Sequence, residues 1–183
     1  GDISSWDVSI VTTMSGMFQH ASSFNGDLSS WDVSSVANMS GMFPLSPFNG
    51  DLSGWNVSSV TDMGSMFADA SFYGDLSSWD VSNVAIMSGM FSISNFNGDL
   101  SSWDVSGVTD MNYMFASTSS FNGDISSWDV SSVTNMAEMF DYASALSVEN
   151  KCLIHTSFSS NENWPYDWSE FCAPAPCGDL VSH

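Results

Sequence analysis

Tryptophan recurs in this chain at Trp6, Trp31, Trp55, Trp79, Trp103 and Trp128, separated by 25, 24, 24, 24 and 25 residues. Around each lies the same string, close to G-D-[LI]-S-S-W-D-V-S-x-V-T-x-M-x-x-M-F, followed by a short variable stretch and F-N. A period of this length marks a stack of coils rather than a globular domain built around a buried catalytic centre. One unit cannot bury its own apolar face, so stability has to come from its neighbours. The product is a long, regular surface, and function is expected there first.

Reading down the columns predicts the coil. Leu28, Trp31, Val33 and Val36 step by two in their middle, which predicts a short parallel strand with Trp31 and Val33 inward and Asp32 outward. Val36, Met39, Met42 and Phe43 then fall on one face of a helical turn, with Ser34 or Ser35 at its N-cap, where other units place Asn83 or Gly107. Gly16, Gly41, Gly64 and Gly89 lie inside this piece and predict that it is short or 3₁₀. The unit closes through Phe24, Phe48, Phe72, Phe96 and Phe121 and an Asn-Gly turn such as Asn25-Gly26, expected at positive φ. All twelve methionines fall into two columns beside phenylalanine, as core residues do. The expected fold is therefore a repeat solenoid of six coils over residues 1–146, each with one short parallel strand and a short helix or 3₁₀ turn. A right-handed parallel β-helix is the alternative, and residues 147–183 form a C-terminal cap.

Charge narrows the partners. Against 21 acidic residues stands a single basic one, for a formal net charge of −20. Nucleic acid and anionic membrane surfaces both need Lys and Arg and are excluded as partners. Because 14% of the residues are aromatic and recur in fixed columns, the acidity does not signal disorder. No apolar run approaches a membrane span, so direct membrane insertion is not expected. The first residues are repeat sequence rather than a signal peptide, so any leader or anchor must have been removed or lie outside this chain.

The L-x-x-W-x-V-x-x-V string resembles the leucine-rich-repeat signature with Trp and Val at leucine positions. The whole unit, with W-D-V-S-x-V-T-x-M and M-F-x-x-A-x-x-F-N-x-D-[LI], resembles the BspA-like repeat of bacterial and protist surface proteins over residues 1 to about 146. The tail with Ile154, His155, Phe158, Trp164, Pro165 and Trp168 resembles the segment that ends such arrays. The resemblance implies an extracellular or cell-surface, leucine-rich-repeat-like solenoid that adheres to or recognises a partner, with no catalytic residues to carry over.

The outward columns hold the remaining chemistry. One runs through Asp7, Asp32, Asn56, Asp80, Asp104 and Asp129 and is the expected binding face; another runs through Asp2, Asp27, Asp51, Asp75, Asp99 and Asp124. Carboxylates about 4.8 Å apart repel. Either the aspartates bond turn amides and keep the array soluble, or Asp32, Asp80, Asp104 and Asp129 gather a hard cation, for which Ca²⁺ is the natural choice. No other cofactor is expected. Serine ladders such as Ser4, Ser29, Ser53, Ser77, Ser101 and Ser126 flank these columns and are expected to bond one another or the backbone.

An enzyme is not expected, since His20, His155 and His183 are scattered and recur in no column. Cys152, Cys172 and Cys177 all lie in the tail and are the disulfide candidates, with three pairings open. Asn38 and Asn56 head N-x-S sequons and are the glycosylation candidates.

Three functions from different classes are consistent with these features. The first is a recognition or adhesion solenoid for a protein or carbohydrate. The others are a structural protein whose coils stack between chains into a fibre or surface layer, and a binder of mineral or ice. The chain opens in register at Gly1-Asp2-Ile3 with nothing to cover Ile3, Trp6 and Val8. The expectation is that a longer array precedes it or that its first coil self-associates with another chain.

Overall fold

The computed structural model describes residues 1–172. Within them the repeated units lie one on the next in parallel register. Isolated parallel bridges join Thr13 to Asn38, Asn38 to Asp62, Asp62 to Ile86, Ile86 to Asp110 and Asp110 to Asn135. Alternate amides extend this ladder: in the third unit Met63, Ser65, Phe67 and Asp69 donate to Ile86, Ser88, Met90 and Ser92 carbonyls at 2.7–2.9 Å. The intervening amides close four-residue turns inside the unit, with Met66 N–H to Met63 O at 3.1 Å and Ala68 N–H to Ser65 O at 3.2 Å.

The pairing therefore falls at the residue before the first Met of each unit, and not at Trp-Asp-Val, where the alternation predicts it. The reason is the Asp-x-Ser spacing. Asp75 accepts the Ser77 N–H at 2.9 Å and Asp80 accepts the Ser82 N–H at 3.2 Å, while Trp79 N–H closes on Leu76 O and Val84 N–H on Val81 O. A short polar side chain that bonds its own backbone two residues on makes a turn and competes with sheet pairing. Trp79 and Val81 still point inward and Asp80 outward, but from successive corners rather than from a strand.

No helix follows, and Ser34 and Ser35 cap none. Each unit instead carries two left-handed residues: Gly16, Gly41, Ser65, Gly89, Tyr113 and Glu138 before the second Met, and His20, Leu45, Asp69, Ile93, Ser117 and Tyr142 two residues after the Phe. A positive φ ends a right-handed helix. Three of the four glycines assigned to a helix serve this corner, and Gly64 does not. The Asn-Gly glycines are not at positive φ either. They are needed because the Phe two residues before folds over them: a Cβ on Gly98 would lie 2.6 Å from Phe96 Cζ, and one on Gly74, where Tyr73 replaces the asparagine, 2.6 Å from Phe72 Cζ.

The core is a set of ladders. Each repeat tryptophan from Trp31 to Trp128 reaches into the preceding unit, its Nε1–H donating to Ile3, Leu28, Leu52, Leu76 and Leu100 carbonyls in turn at 3.0–3.1 Å. Trp6 has no such partner and is 54% exposed. Two phenylalanine columns interleave, with ring centroids 4.2 Å apart for Phe91 and Phe96 and 5.8 Å apart for Phe91 and Phe115. The methionine columns are buried with them, except Met17 in the first unit.

Beyond Leu146 the pattern stops and helix α1 (Val148–Phe158) begins, its first turn capped by Ser147 Oγ, which accepts the Asn150 N–H. Ile154 and Phe158 are buried in the core. Trp164, Tyr166 and Trp168 pack on Phe140, and the Tyr166 hydroxyl accepts the Phe140 N–H and donates to Asp141, each at 2.8 Å. Burial raises the Tyr166 pKa well above its ordinary value. A 3₁₀ segment, Ser169–Cys172, follows, and Cys172 is joined to Cys152 by a disulfide. Cys177 and His183 lie outside the described residues. Among the described residues no helix is long and apolar enough to cross a membrane.

Candidate functional site

The column of Asp7, Asp32, Asn56, Asp80, Asp104 and Asp129 is exposed along its whole length. Each side chain is fixed by the serine two residues on: Asp32 Oδ1 accepts the Ser34 N–H at 3.1 Å and Ser34 Oγ–H at 2.6 Å, and Asp104 does the same with Ser106. Asn56 makes the identical pair with Ser58, so the turn needs the oxygen and not the charge. The column of Asp27, Asp51, Asp75 and Asp99 is bonded in the same way to Ser29, Ser53, Ser77 and Ser101.

These bonds hold the carboxyls below the ordinary aspartate value. For Asp32 the Ser34 hydroxyl is the largest cause, and for Asp27 the Ser29 amide is. Repulsion along the column acts the other way and is smaller, as for Asp27 between Asp2 and Asp51. Asp32, Asp80, Asp104 and Asp129 each serve their own turn, and among the described residues no three His, Cys, Asp or Glu side chains converge on a cation position.

Sequence reading missed a third column of the same kind. Asn38, Asp62, Asp110 and Asn135, all on the bridge ladder, accept the amides of Ser40, Gly64, Asn112 and Ala137. The signal was there as Asn or Asp directly before the first Met of four units. The asparagine after the closing Phe was also missed as a ladder: Asn25, Asn49, Asn97 and Asn122 each accept the amide of the equivalent residue one unit on. The two sequons part company here. Asn38 is half-buried and its amide reaches Asp62, whereas Asn56 is exposed.

Serines that follow Leu-Ser or Val-Ser bond backward across units, as Ser30 to Ser4 O, Ser59 to Ser34 O and Ser102 to Ser77 O at 2.7–2.9 Å. His20 is exposed at a left-handed corner, and His155 Nδ1 accepts the Trp164 indole N–H at 3.1 Å. Among the described residues neither histidine belongs to a group of three side chains that could hold a metal ion.

At Asp129 the exposed column meets a cavity of about 560 Å³, open between the last coil and the cap. Its coil wall carries Asp129, Val130, Val133 and Thr134, and its cap wall carries Glu162 and Asn163 after α1. The cap is held across it by Asn161 Nδ2, which donates to Val130 O at 2.8 Å and Val133 O at 2.9 Å.

Six tandem units in parallel register, with α1 and the aromatic segment after it packed on the last of them, define a repeat protein whose aspartates bond its turns. The family model described as "Mycoplasma protein of unknown function, DUF285" matches residues 1–94 and again 70–164, and the chain belongs to this family. No curated protein and no solved structure matches the chain.

Proposed function

We propose that the chain is a non-catalytic recognition module, a leucine-rich-repeat-like solenoid of the BspA-like surface group displayed outside the cell. It meets a protein or glycan partner through the turn edge of Asp7, Asp32, Asn56, Asp80, Asp104 and Asp129. The observation that supports this reading is the uniform presentation of that column: exposed oxygens, each held in one orientation by a serine, on a core with closed ladders beneath. Fixed, pre-ordered polar groups lose little freedom on binding, which favours recognition.

The test replaces the five aspartates of the column by asparagine, a change that Asn56 shows the turn accepts. Binding is measured on a printed glycan array and on surfaces coated with fibronectin, laminin or collagen. The expected result is binding by the native chain to at least one of these and its loss in the five-fold variant, with unchanged circular dichroism. Binding that survives the five substitutions overturns the assignment of this edge.

A further inference from the structure

One unit departs from the others on the exposed edge. Ser30, Ser78, Ser102 and Ser127 stand directly before repeat tryptophans and donate to the Ser4, Ser53, Ser77 and Ser101 carbonyls of the preceding unit at 2.9–3.0 Å. Asp32, Asp80, Asp104 and Asp129 directly follow the same tryptophans. In the third unit both positions change together, to Gly54 and Asn56, exposed on either side of buried Trp55. Gly54 forgoes the bond that the serines make, and a Cβ there would meet nothing within 4 Å. Asn56 keeps the turn, its Oδ1 accepting the Ser58 N–H at 3.2 Å and Oγ–H at 2.7 Å, while its Nδ2 donates to no group among the described residues. The stack gains no contact from either change. Together they produce an exposed, uncommitted carboxamide nitrogen with open space beside it.

That nitrogen heads Asn56-Val57-Ser58, the acceptor pattern for N-linked glycans on surface turns of secreted proteins. Asn38-Met39-Ser40 is the opposite case. Its Nδ2 is spent on Asp62 Oδ2 at 3.3 Å, and Asn38 is half-buried on the bridge ladder, so a sugar there would displace that bond and crowd the next unit. The disulfide between Cys152 and Cys172 belongs to an oxidising compartment, as such glycans do. We propose that Asn56 is a site of N-linked glycosylation and that Asn38 is not. The co-substrate is an oligosaccharide carried on a lipid pyrophosphate. The carboxamide nitrogen bonds the anomeric carbon, the bond from that carbon to the pyrophosphate oxygen breaks, the pyrophosphate leaves with the electron pair, and the nitrogen gives up one proton. The sugar then stands in the middle of the exposed column and separates Asp32 from Asp80. The site rests on the extracellular placement in the proposed function and on nothing else in it.

The test is secretion of the full chain from a eukaryotic host, with its intact mass measured before and after digestion by peptide N-glycosidase. The expected result is one oligosaccharide on the native chain, none on Asn56→Asp, and the native one retained on Asn38→Asp. Both substitutions install the residue that other units hold at the same position, Asp32 and Asp80 for the first and Asp62 and Asp110 for the second, so both variants should keep the native circular dichroism. A secreted native chain of unmodified mass, a sugar that survives Asn56→Asp, or one that is lost in Asn38→Asp overturns the proposal. Retention of the native chain inside the host while Asn56→Asp is secreted overturns it too, because the sugar would then be incompatible with the fold. Adhesion is measured separately, on chain made in bacteria without the sugar. Loss of adhesion there leaves Asn56 standing, and an unmodified secreted chain that still adheres removes this site alone.

Discussion

At the scale of single residues, the aspartates are turn builders that also carry charge, and the two roles separate by substitution. If Asp80 were only a solvated charge in a repelling column, Asp80→Ala would be neutral or slightly stabilising. In the structure it accepts both the amide and the hydroxyl of Ser82, at 3.2 and 2.6 Å. Asp80→Ala is therefore expected to lower the thermal midpoint, while Asp80→Asn keeps it near the native value, as the Asn56 turn implies. The check is a pair of melting curves at equal ionic strength.

Proton linkage gives an independent sign. Asp7, Asp27, Asp32, Asp51, Asp75, Asp80, Asp99 and Asp104 all have pKa values lowered by their serine bonds. Groups lowered on folding contribute stability that is present above the unfolded value, near 3.9, and is lost as pH falls through the folded value. Urea midpoints should therefore be flat from about pH 7 to 5 and fall below about pH 4. If repulsion between neighbouring carboxylates outweighed the serine bonds, the trend would reverse and the midpoint would rise on acidification. Each carboxylate is exposed and solvent-screened, so the effect is a sum of small ones.

At the scale of the structural element, the units test one another. Ser78 and Ser102 hold Ser53 O and Ser77 O of the unit before, at 3.0 and 2.9 Å, but the equivalent residue in the third unit is Gly54. A Cβ there would meet nothing within 4 Å. Gly54→Ser should therefore supply the missing bond to Ser29 O and stabilise by about 1 kcal/mol, from one net hydrogen bond and a less flexible unfolded chain. Gly98→Ala is the counterpart. Its methyl would press on Phe96, which is fully buried between neighbouring rings, and the cost should be about 1–3 kcal/mol, as for other overpacked sites. Denaturant titrations of the two variants check both signs, and a neutral Gly98→Ala would mean that the ring has room to turn.

The same element scale shows how much was legible. The Trp, Met and Phe columns could be read directly, because burial follows from period and side-chain chemistry whatever the backbone does. The elements could not, because Met63 and Met66 three residues apart suit a helix and a turn equally, and Trp-x-Val suits a strand and a pair of corners equally. The Asp-x-Ser spacing decides between them, and it read as surface chemistry. The left-handed corners at Leu45, Ile93 and Tyr142 carry no sequence signal, since such residues rarely adopt positive φ. The cavity was illegible for a different reason: it depends on how the unrepeated tail packs on the last coil.

At the scale of the whole molecule, the ladders make a strong claim, that each unit sees only its two neighbours. Met63 N–H bonds Ile86 O at 2.9 Å, and Met87 N–H bonds Asp110 O at the same length, so the fourth unit is bonded on both sides by equivalent contacts. Excising residues 74–97, one whole unit, would join Tyr73 to Gly98-Asp99-Leu100, the same string that Gly74-Asp75-Leu76 opens. Trp103 would then reach Leu52 O where Trp79 does now. In a chain held by nearest-neighbour interfaces, this deletion should fold with the same circular dichroism per residue and one transition at a reduced midpoint. Excising residues 74–85 alone breaks the register of the Trp, Met and Phe columns together and should leave no cooperative transition. If the two deletions are equally damaging, stability resides in contacts that span several units and the stack is not separable. If the whole-unit deletion folds and the half-unit deletion does not, the 24-residue period is the unit of folding as well as of sequence.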